Sequence, residues 1–408
     1  MSVSQADCNG RHIGGAYHWR CAGGRARAHG GVGRGMKMIL SAACALLLFY
    51  IQRYIYKRIW KKNLGVTVSF VTPFAVEGEN SALSEVIENK KAFPVPVLRV
   101  KFSFARGLSL TGGENVTRSD KVYKNDIFSV MPYMRITRTH EFLCEKRGFY
   151  TVDSVSLTSS DLLMSAKFTD VRPNGGQCAE FSVYPARADV ARLLPVFSKI
   201  MGQREAKAQQ PDPFAFRGIR DYAPFDPIRD INWKATAKTG DLKVNIHAST
   251  RAGEVRLALD LEPDSDWADN GVREEEIRIA ATLASLFVQK GAEVSFASNG
   301  RDIVTQASAN MKSGCGPGHL TAMKETLARI DLEKGCAPFQ ETAQRLLDNV
   351  GEKQETVLIT DAKGTAKTAL YEQLARPGGL HIIFVVRPDA GALPEIREAN
   401  VTRWEVHY

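Results

Sequence analysis

The longest apolar run in the chain is Met38 to Ile51, where all fourteen residues are apolar or small. Gln52 and Arg53 interrupt it, and Tyr54-Ile55-Tyr56 resume it. A bilayer-spanning helix needs roughly 20 residues, and residues 38–56 supply nineteen. Arg53 can snorkel, and the tyrosines and Trp60 suit the aromatic belt of a membrane interface. Bulky tyrosines and arginines follow the run, with no small-x-small cleavage site, so a retained transmembrane helix over 38–56 is expected in preference to a cleaved signal peptide. Residues 1–35 hold nine glycines and little periodicity, and are expected to form a disordered N-terminus.

After residue 64 the pattern changes to period two. Val66-Thr-Val-Ser-Phe-Val alternates, and so does Val95-Pro-Val-Leu-Arg-Val-Lys-Phe-Ser-Phe, with a phase change at Leu98 that predicts a bulge. Asp126 to Val130 and Tyr150 to Leu157 continue the alternation. Turn signals at Gly78, Thr111-Gly-Gly and Arg147-Gly148 separate the strands, so residues 64–185 read as an antiparallel β-sandwich-like domain. No metal or catalytic constellation is apparent in it. Residues 198–252 read as a polar linker followed by a dense motif. From 253 to 408 strands and helices alternate: strands at Glu254–Leu261, Ala292–Ala297, Thr356–Asp361 and Leu380–Val386, and helices at Val272–Lys290, His319–Ile330 and Phe339–Val350. That is the pattern of a doubly wound α/β domain. The fold class expected is thus multidomain: membrane helix, β-sandwich-like unit, α/β unit.

Charge sharpens the membrane reading. The formal net charge is +9. Arg11, Arg20, Arg25, Arg27, Arg34 and Lys37 precede the apolar run with one acid, Asp7; Arg53, Lys57, Arg58, Lys61 and Lys62 follow its core with none. These flanks account for the whole excess, which argues against a nucleic-acid partner. The basic cluster after the run places the bulk of the chain on the cytoplasmic side of the inner membrane as a single-pass protein. Seven cysteines without a CxxC spacing fit reduced thiols in that compartment.

The motif is Phe216-Arg-Gly-Ile-Arg-Asp-Tyr-Ala-Pro-Phe-Asp-Pro-Ile-Arg-Asp-Ile-Asn-Trp-Lys. Asp226 is placed to cap a helix with Pro227 in its first position, and Gly240 to close it. Ile228, Ile231 and Ala235 would share one face, and Leu242-Lys-Val-Asn-Ile-His would follow as a strand. Arg217, Arg220 and Arg229 have the geometry for bidentate contacts with Asp221, Asp226 or Asp230, and Tyr222, Trp233 and Lys234 add amphipathic reach. The network either fixes the loop against the next domain or forms a docking surface for a partner or an anionic ligand.

The run Arg217-x-x-Arg220-Asp-Tyr-x-Pro-x-Asp226-x-x-Arg229-x-Ile-x-Trp233-Lys-Ala-x-Ala-Lys-x-Gly-x-Leu resembles the signature of the bacterial family called domain of unknown function 58, as does the layout of residues 38–408. The resemblance implies a von Willebrand factor A-like C-terminal domain and a MoxR-type AAA+ ATPase as partner. Two departures stand out. The family's usual Pro-Gly-Asp is Pro224-Phe225-Asp226 here, and one membrane span replaces the frequent two-span hairpin.

Acids lie at two expected strand ends, Asp260 with Glu262 and Asp264, and Asp361. A von Willebrand A-like domain holds a divalent cation there through Asp-x-Ser-x-Ser. Here the serines are replaced by acids, which leaves oxygen ligands for Mg²⁺ or Ca²⁺. Otherwise the acids are solvated groups near helix N-termini. No nucleophile-and-base arrangement is evident, and Gly314-Cys-Gly-Pro-Gly318 lacks the Lys-Ser/Thr of a phosphate loop. The expected function is a membrane-anchored, non-catalytic scaffold or assembly factor. The alternatives are a metal-dependent adhesion-type module, or an enzyme acting on an anionic substrate through Arg217, Arg220, Asp221 and Asp226.

Overall fold

The computed structural model describes residues 31–111, 116–118, 121–174, 179–209, 211–224, 227–249, 254–263, 269–348 and 354–406. The chain divides into two compact units after Arg58. In the first, α1 (Gly31–Ile59) carries the apolar run. Its stretch Met36–Ile59 is long and apolar enough to cross a membrane, and exposes most of its side chains, Tyr56 being buried. The helix therefore exceeds the expected 38–56 at both ends. Lys57 and Arg58 fill its last turn, where cations favour the helix dipole. Residues 1–30 of the expected disordered segment lie outside the described residues, whereas Gly31 to Gly35 are helical.

The second unit opens with β1 (Leu64–Phe70), β2 (Phe74–Val76), β3 (Asn80–Asn89), β4 (Val95–Ala105), β5 (Leu108–Leu110) and β6 (Val116–Arg118). There follow β7 (Lys121–Val130), β8 (Arg135–Cys144), β9 (Gly148–Thr151), β10 (Ser154–Ser160), β11 (Lys167–Pro173) and β12 (Glu180–Tyr184). They form sheets ordered β1-β3-β8-β5, β11-β10-β4-β7-β6 and β2-β12-β9. The pairing is antiparallel except for β2 with β12. The register shift between Val95 and Leu98 is the expected bulge. Tyr150 to Leu157 is not one strand: β9 pairs with β12 and β10 with β4, in different sheets. Alternate residues such as Leu83, Ile87, Phe102, Phe104 and Phe142 are buried, the expected consequence of period-two patterning.

The expected linker from residue 198 is instead part of a helix, α2 (Val190–Gln209). Its apolar stripe Leu193, Val196, Phe197 and Ile200 lies at helical spacing and is buried, with Phe197 packed on Phe287 at 5.2 Å between ring centres. Most of that stripe precedes the polar stretch that suggested a linker. Then come β13 (Pro211–Asp221), a 3₁₀ turn Ile228–Asp230, α3 (Trp233–Thr239) and β14 (Lys243–Ser249), with β13 and β14 paired as a hairpin.

The C-terminal part contains β15 (Val255–Asp260), α4 (Asn270–Gln289), β16 (Val294–Arg301), β17 (Ser308–Gly314), α5 (Pro317–Arg329), α6 (Phe339–Asp348), β18 (Glu355–Thr360), α7 (Thr365–Ala375), β19 (Leu380–Val386) and β20 (Ala399–Glu405). The sheet order is β17-β16-β15-β18-β19-β20, parallel except for the edge strand β17. Leu257, Leu259, Ile359 and Ile383 face a core shared with α2, α4 and α5, while Ala258, Leu358, Ile382 and Phe384 face α6 and α7. Both faces are covered, which is why the strands read as continuous apolar runs. β17, β20 and α7 were not foreseen; Ser308–Gly314 is polar and half exposed and carries little apolar periodicity.

Two arginines fasten the β unit to this sheet. Arg147, in the β8–β9 loop, is buried and donates to the carbonyls of Leu327 at 2.8 Å and Ile330 at 2.9 Å, and to Glu274 at 2.6 Å. It satisfies carbonyls left open at the end of α5. Arg278 on α4 reaches Glu77 at 2.8 and 3.1 Å. Arg147→Ala is expected to cost about 3 kcal/mol, because it strands a buried acceptor pair and Glu274. Differential scanning calorimetry of the solubilised chain should then show the single transition splitting in two; an unchanged single transition would count against this coupling.

Candidate functional site

The dense motif forms an arm on the surface. The hairpin register sets Asp221 opposite Lys243 and Arg220 opposite Val244. Asp221 accordingly pairs with Lys243 across the strands, not with an arginine. Arg220 donates to the Asp221 carbonyl at 2.9 Å, and Arg229 lies 3.9 Å from its neighbour Asp230. Asp221 thus meets Lys243 because β pairing fixes which side chains face each other across the hairpin. The Arg217 side chain and Asp226 lie outside the described residues, as does the departure at Phe225.

The helix also starts later than expected. Pro227 is extended, the 3₁₀ turn follows, and Ile231 bridges to Val244. That extended residue breaks helical continuity. Asn232 becomes the cap, accepting from the Ala235 N–H at 2.9 Å and donating to Asn245 at 2.8 Å. Gly240 closes α3 in the left-handed conformation at φ 82°, as anticipated. Tyr222 and Ile231 are half buried. Ile228 and Trp233 are instead 71% and 65% exposed, so Ile228 does not join an inward face. Arg220, Arg229, Lys234 and Lys238 are exposed around them.

At the carboxyl end of β15, Asp260 is wholly buried. Its Oδ1 accepts from the Glu262 N–H at 3.0 Å and Asn299 Nδ2 at 3.0 Å; its Oδ2 accepts from Tyr371 at 2.9 Å and the Lys367 ammonium at 3.0 Å. Lys367 also donates to the Glu262 carbonyl at 2.6 Å and lies 3.5 Å from its carboxylate. Burial pushes the Asp260 carboxyl above its ordinary range, and Lys367 pulls against it. Of the four acids proposed for a cation, Asp264 lies outside the described residues. Asp260 and Glu262 converge on an ammonium, which takes up the oxygens a Mg²⁺ or Ca²⁺ would need. Asp361 approaches a different group, Glu276 on α4. Glu276 is fully buried and neither carboxylate oxygen has a hydrogen-bond partner. Burial above all, then Asp361 and Asp260, push it well above the ordinary carboxyl range. Sequence reading missed both. Glu276 sits on the inward stripe between Val272 and Ala280, which was a legible signal; Lys367 lies on the unforeseen α7 and gave none.

A second cluster was also missed, inside the β unit. His140 Nε2 lies 3.1 Å from Asp126 and 3.2 Å from Glu85. Lys124 and Arg138 approach the other Asp126 oxygen at 3.6 and 3.5 Å. Glu85 shares the inward phase of β3 with Leu83 and Ile87, and Asp126 that of β7 with Phe128. Charged residues in an inward phase were the available clue. Burial pulls the His140 imidazole down, but its bonds to Asp126 and Glu85 outweigh that and hold it above its ordinary value. Burial raises Glu85, and Asp126 is held low by His140 and Lys124 against its own burial. One imidazole nitrogen and two carboxylates are within reach of a single ion, but three basic groups already balance the two acids.

A cavity of about 630 Å³ opens between the β unit and the C-terminal sheet. Arg147 and Arg278 line it, but both are engaged by Glu274 and Glu77. It offers no nucleophile paired with a base. The four described cysteines, Cys44, Cys144, Cys315 and Cys336, are free thiols. Burial pushes the Cys144 thiol up to about 11, so it is unreactive.

Removing the Lys367 ammonium leaves Asp260 buried without a counter-charge, so Lys367→Ala is expected to lose about 3 kcal/mol of stability. Millimolar Mg²⁺ should leave the melting temperature of the parent chain unchanged; a rise would show that the cation competes with Lys367. His140 titrates higher in the folded chain than in the unfolded one. Its contribution is therefore complete below about pH 6.5 and is lost as pH rises through the folded value. Glu85, also raised, acts in the same direction from a lower starting point. Melting temperatures of the solubilised chain should fall as pH rises above about 6.5, and the His140→Gln variant should flatten that slope; equal slopes would exclude the assignment.

No curated protein matches the chain. Among solved structures, it is similar to the CARDB domain of the PF1109 protein from Pyrococcus furiosus, with 15% identity over 29% of this chain and 87% of that one and a TM-score of 0.17. A non-cellulosomal cohesin from Archaeoglobus fulgidus gives 13% identity, 29% and 90% coverage and a TM-score of 0.19. AvmM, which catalyses macrocyclisation in alchivemycin A biosynthesis, gives 9%, 32%, 93% and 0.21. Residues 218–405, from the β13–β14 hairpin through β20, match the family described as "Protein of unknown function DUF58", which supports that family for this stretch of the chain.

Proposed function

We propose that this protein is a membrane-anchored, non-catalytic scaffold that recruits a partner through the arm formed by β13, α3 and β14. The observation that carries the reading is the exposure of Trp233 and Ile228 in the same segment as the exposed Arg220, Arg229 and Lys234. An exposed tryptophan with aliphatic and arginine neighbours is the composition of a binding hot spot. A residue kept only for packing would be buried.

The C-terminal sheet is read as von Willebrand factor A-like. In support, its strand order places β15 and β18 side by side with helices on both faces, so ligands would meet it at Asp260 and Asp361. The Lys367 ammonium argues for docking that does not use a divalent cation, and against the metal-dependent adhesion reading. The absence of a nucleophile-and-base pair among the described residues argues against the anionic-substrate enzyme. The partner proposed is a MoxR-type AAA+ ATPase, with the bulk of the chain on the cytoplasmic face of the inner membrane; the basic residues Lys57, Arg58, Lys61 and Lys62 after the apolar run support that side.

The test is co-purification of the ATPase with the full chain from solubilised membranes. Trp233→Ala is expected to weaken capture by about 2 kcal/mol, roughly thirtyfold, with an unchanged melting temperature because the side chain is exposed. Undiminished capture by the Trp233→Ala and Ile228→Asp variants would sink the reading.

A further inference from the structure

A second exposed apolar surface lies at one pole of the β unit. The β7–β8 turn presents Met131, Tyr133 and Met134, exposed by 57%, 74% and 41%. The β10–β11 turn presents Leu162, Leu163 and Met164, exposed by 42%, 63% and 68%. The register puts both turns at the same end: Val130 pairs with Val95, and Ser160 with Val97 two residues further along β4. Six large apolar side chains thus share one tip of the unit, the densest grouping among its exposed apolar residues, which elsewhere include Val71, Phe74, Ile127, Leu143 and Val171.

The turns are held in place by buried polar groups. Asp161, wholly buried, accepts from the Ala166 N–H at 3.0 Å and Ser165 Oγ at 2.5 Å, which closes the loop under Leu162 to Met164. Asn89, also buried, donates to the Met131 carbonyl at 2.9 Å and the Phe93 carbonyl at 3.0 Å, and its own N–H meets Met134. Tyr133 and Met164 adopt left-handed backbone, at φ 54° and 55°, a conformation that residues with a Cβ adopt at a cost. Ordered turns that display apolar side chains are preorganised for an apolar environment.

The tip is tied to the residues that leave the candidate membrane span. Lys91, whose carbonyl accepts from the Tyr133 N–H, sends its buried ammonium to the carbonyls of Ile59, Trp60 and Lys62. Burial and Arg172 push that ammonium down to about 8. Arg172 in turn donates to the carbonyls of Lys61 and Leu64. Ile59 is the last residue of the candidate span Met36–Ile59, so the lipid surface, where that stretch spans, meets the chain within a few residues of this point. Lys61, Lys62, Arg135 and Lys167 are exposed on the adjoining segments, and suit anionic headgroups.

We propose that this tip is a membrane-docking surface: Met131, Tyr133, Met134 and Leu162 to Met164 enter the headgroup–acyl boundary of an anionic leaflet and fix the β unit against the bilayer from which it emerges. The proposal rests on the reading of Met36–Ile59 as a span. It would make the β unit a rigid pedestal, with its opposite pole, where Arg147 sits, carrying the C-terminal sheet.

The test uses the full chain in vesicles of phosphatidylcholine and phosphatidylglycerol, with and without bromine on the acyl chains. Tryptophan fluorescence added by Leu163→Trp or Leu162→Trp is expected to be quenched at least about twofold by the brominated lipid, since a tryptophan there would settle at the interface. That added by Val304→Trp, on the C-terminal unit, should be unchanged. Leu47→Trp within α1 reports the span itself. Quenching at Leu47→Trp without quenching at Leu163→Trp or Leu162→Trp would overturn the docking tip alone. No quenching at Leu47→Trp would overturn the span and the tip together.

Discussion

The architecture depends on one guanidinium. Arg147 leaves the β8–β9 loop and closes four hydrogen bonds, two to Glu274 and one each to the carbonyls of Leu327 and Ile330. Around this contact α5 packs against β9 and β12, so the β unit and the C-terminal sheet meet over more than the connecting helix α2. With Arg147, and with the Glu77–Arg278 pair beside it, the two act as one unit. A planar, five-donor group is suited to this task, because it can satisfy a carboxylate and two helix-end carbonyls at once. A lysine at that position would reach fewer acceptors in fixed geometry.

The same solution recurs in the interior. Asp260 is buried against Lys367, and Glu85 and Asp126 against His140. In each case a carboxylate that burial alone would make costly is compensated by a cation from another element. At Asp260 the carboxyl end of β15, the end at which α/β folds bind ligands, holds the Lys367 ammonium. Burial and the nearby carboxylates of Asp361 and Asp260 push Glu276 well above the ordinary carboxyl range.

Much of this fold was legible in the sequence. Period-two alternation located the strands of the β unit and even the bulge at Leu98, because one buried face imposes that pattern. Apolar runs and an amphipathic stripe located β15, β16, β18, β19 and α4. Gly240 was legible as a helix stop because the left-handed conformation favours glycine. The start of the linker was misread, since most of the stripe from Leu193 to Ile200 precedes the polar stretch that suggested it. The helix start at Asp226 moved to Asn232 because pairing with Val244 held Ile231 extended, and no local propensity announces a tertiary bridge.

By itself, then, the sequence determined the apolar run, the strand and helix periods, and the signature shared with a family, for these follow from which residues bury a face and which terminate an element. Only the tertiary structure decided which charges meet. Lys243 took Asp221 by cross-strand register, Lys367 reached Asp260 across 107 positions, and His140 joined Glu85 to Asp126 from separate strands. Charge pairing depends on distance in space and on exclusion of water, and neither is written in spacing along the chain.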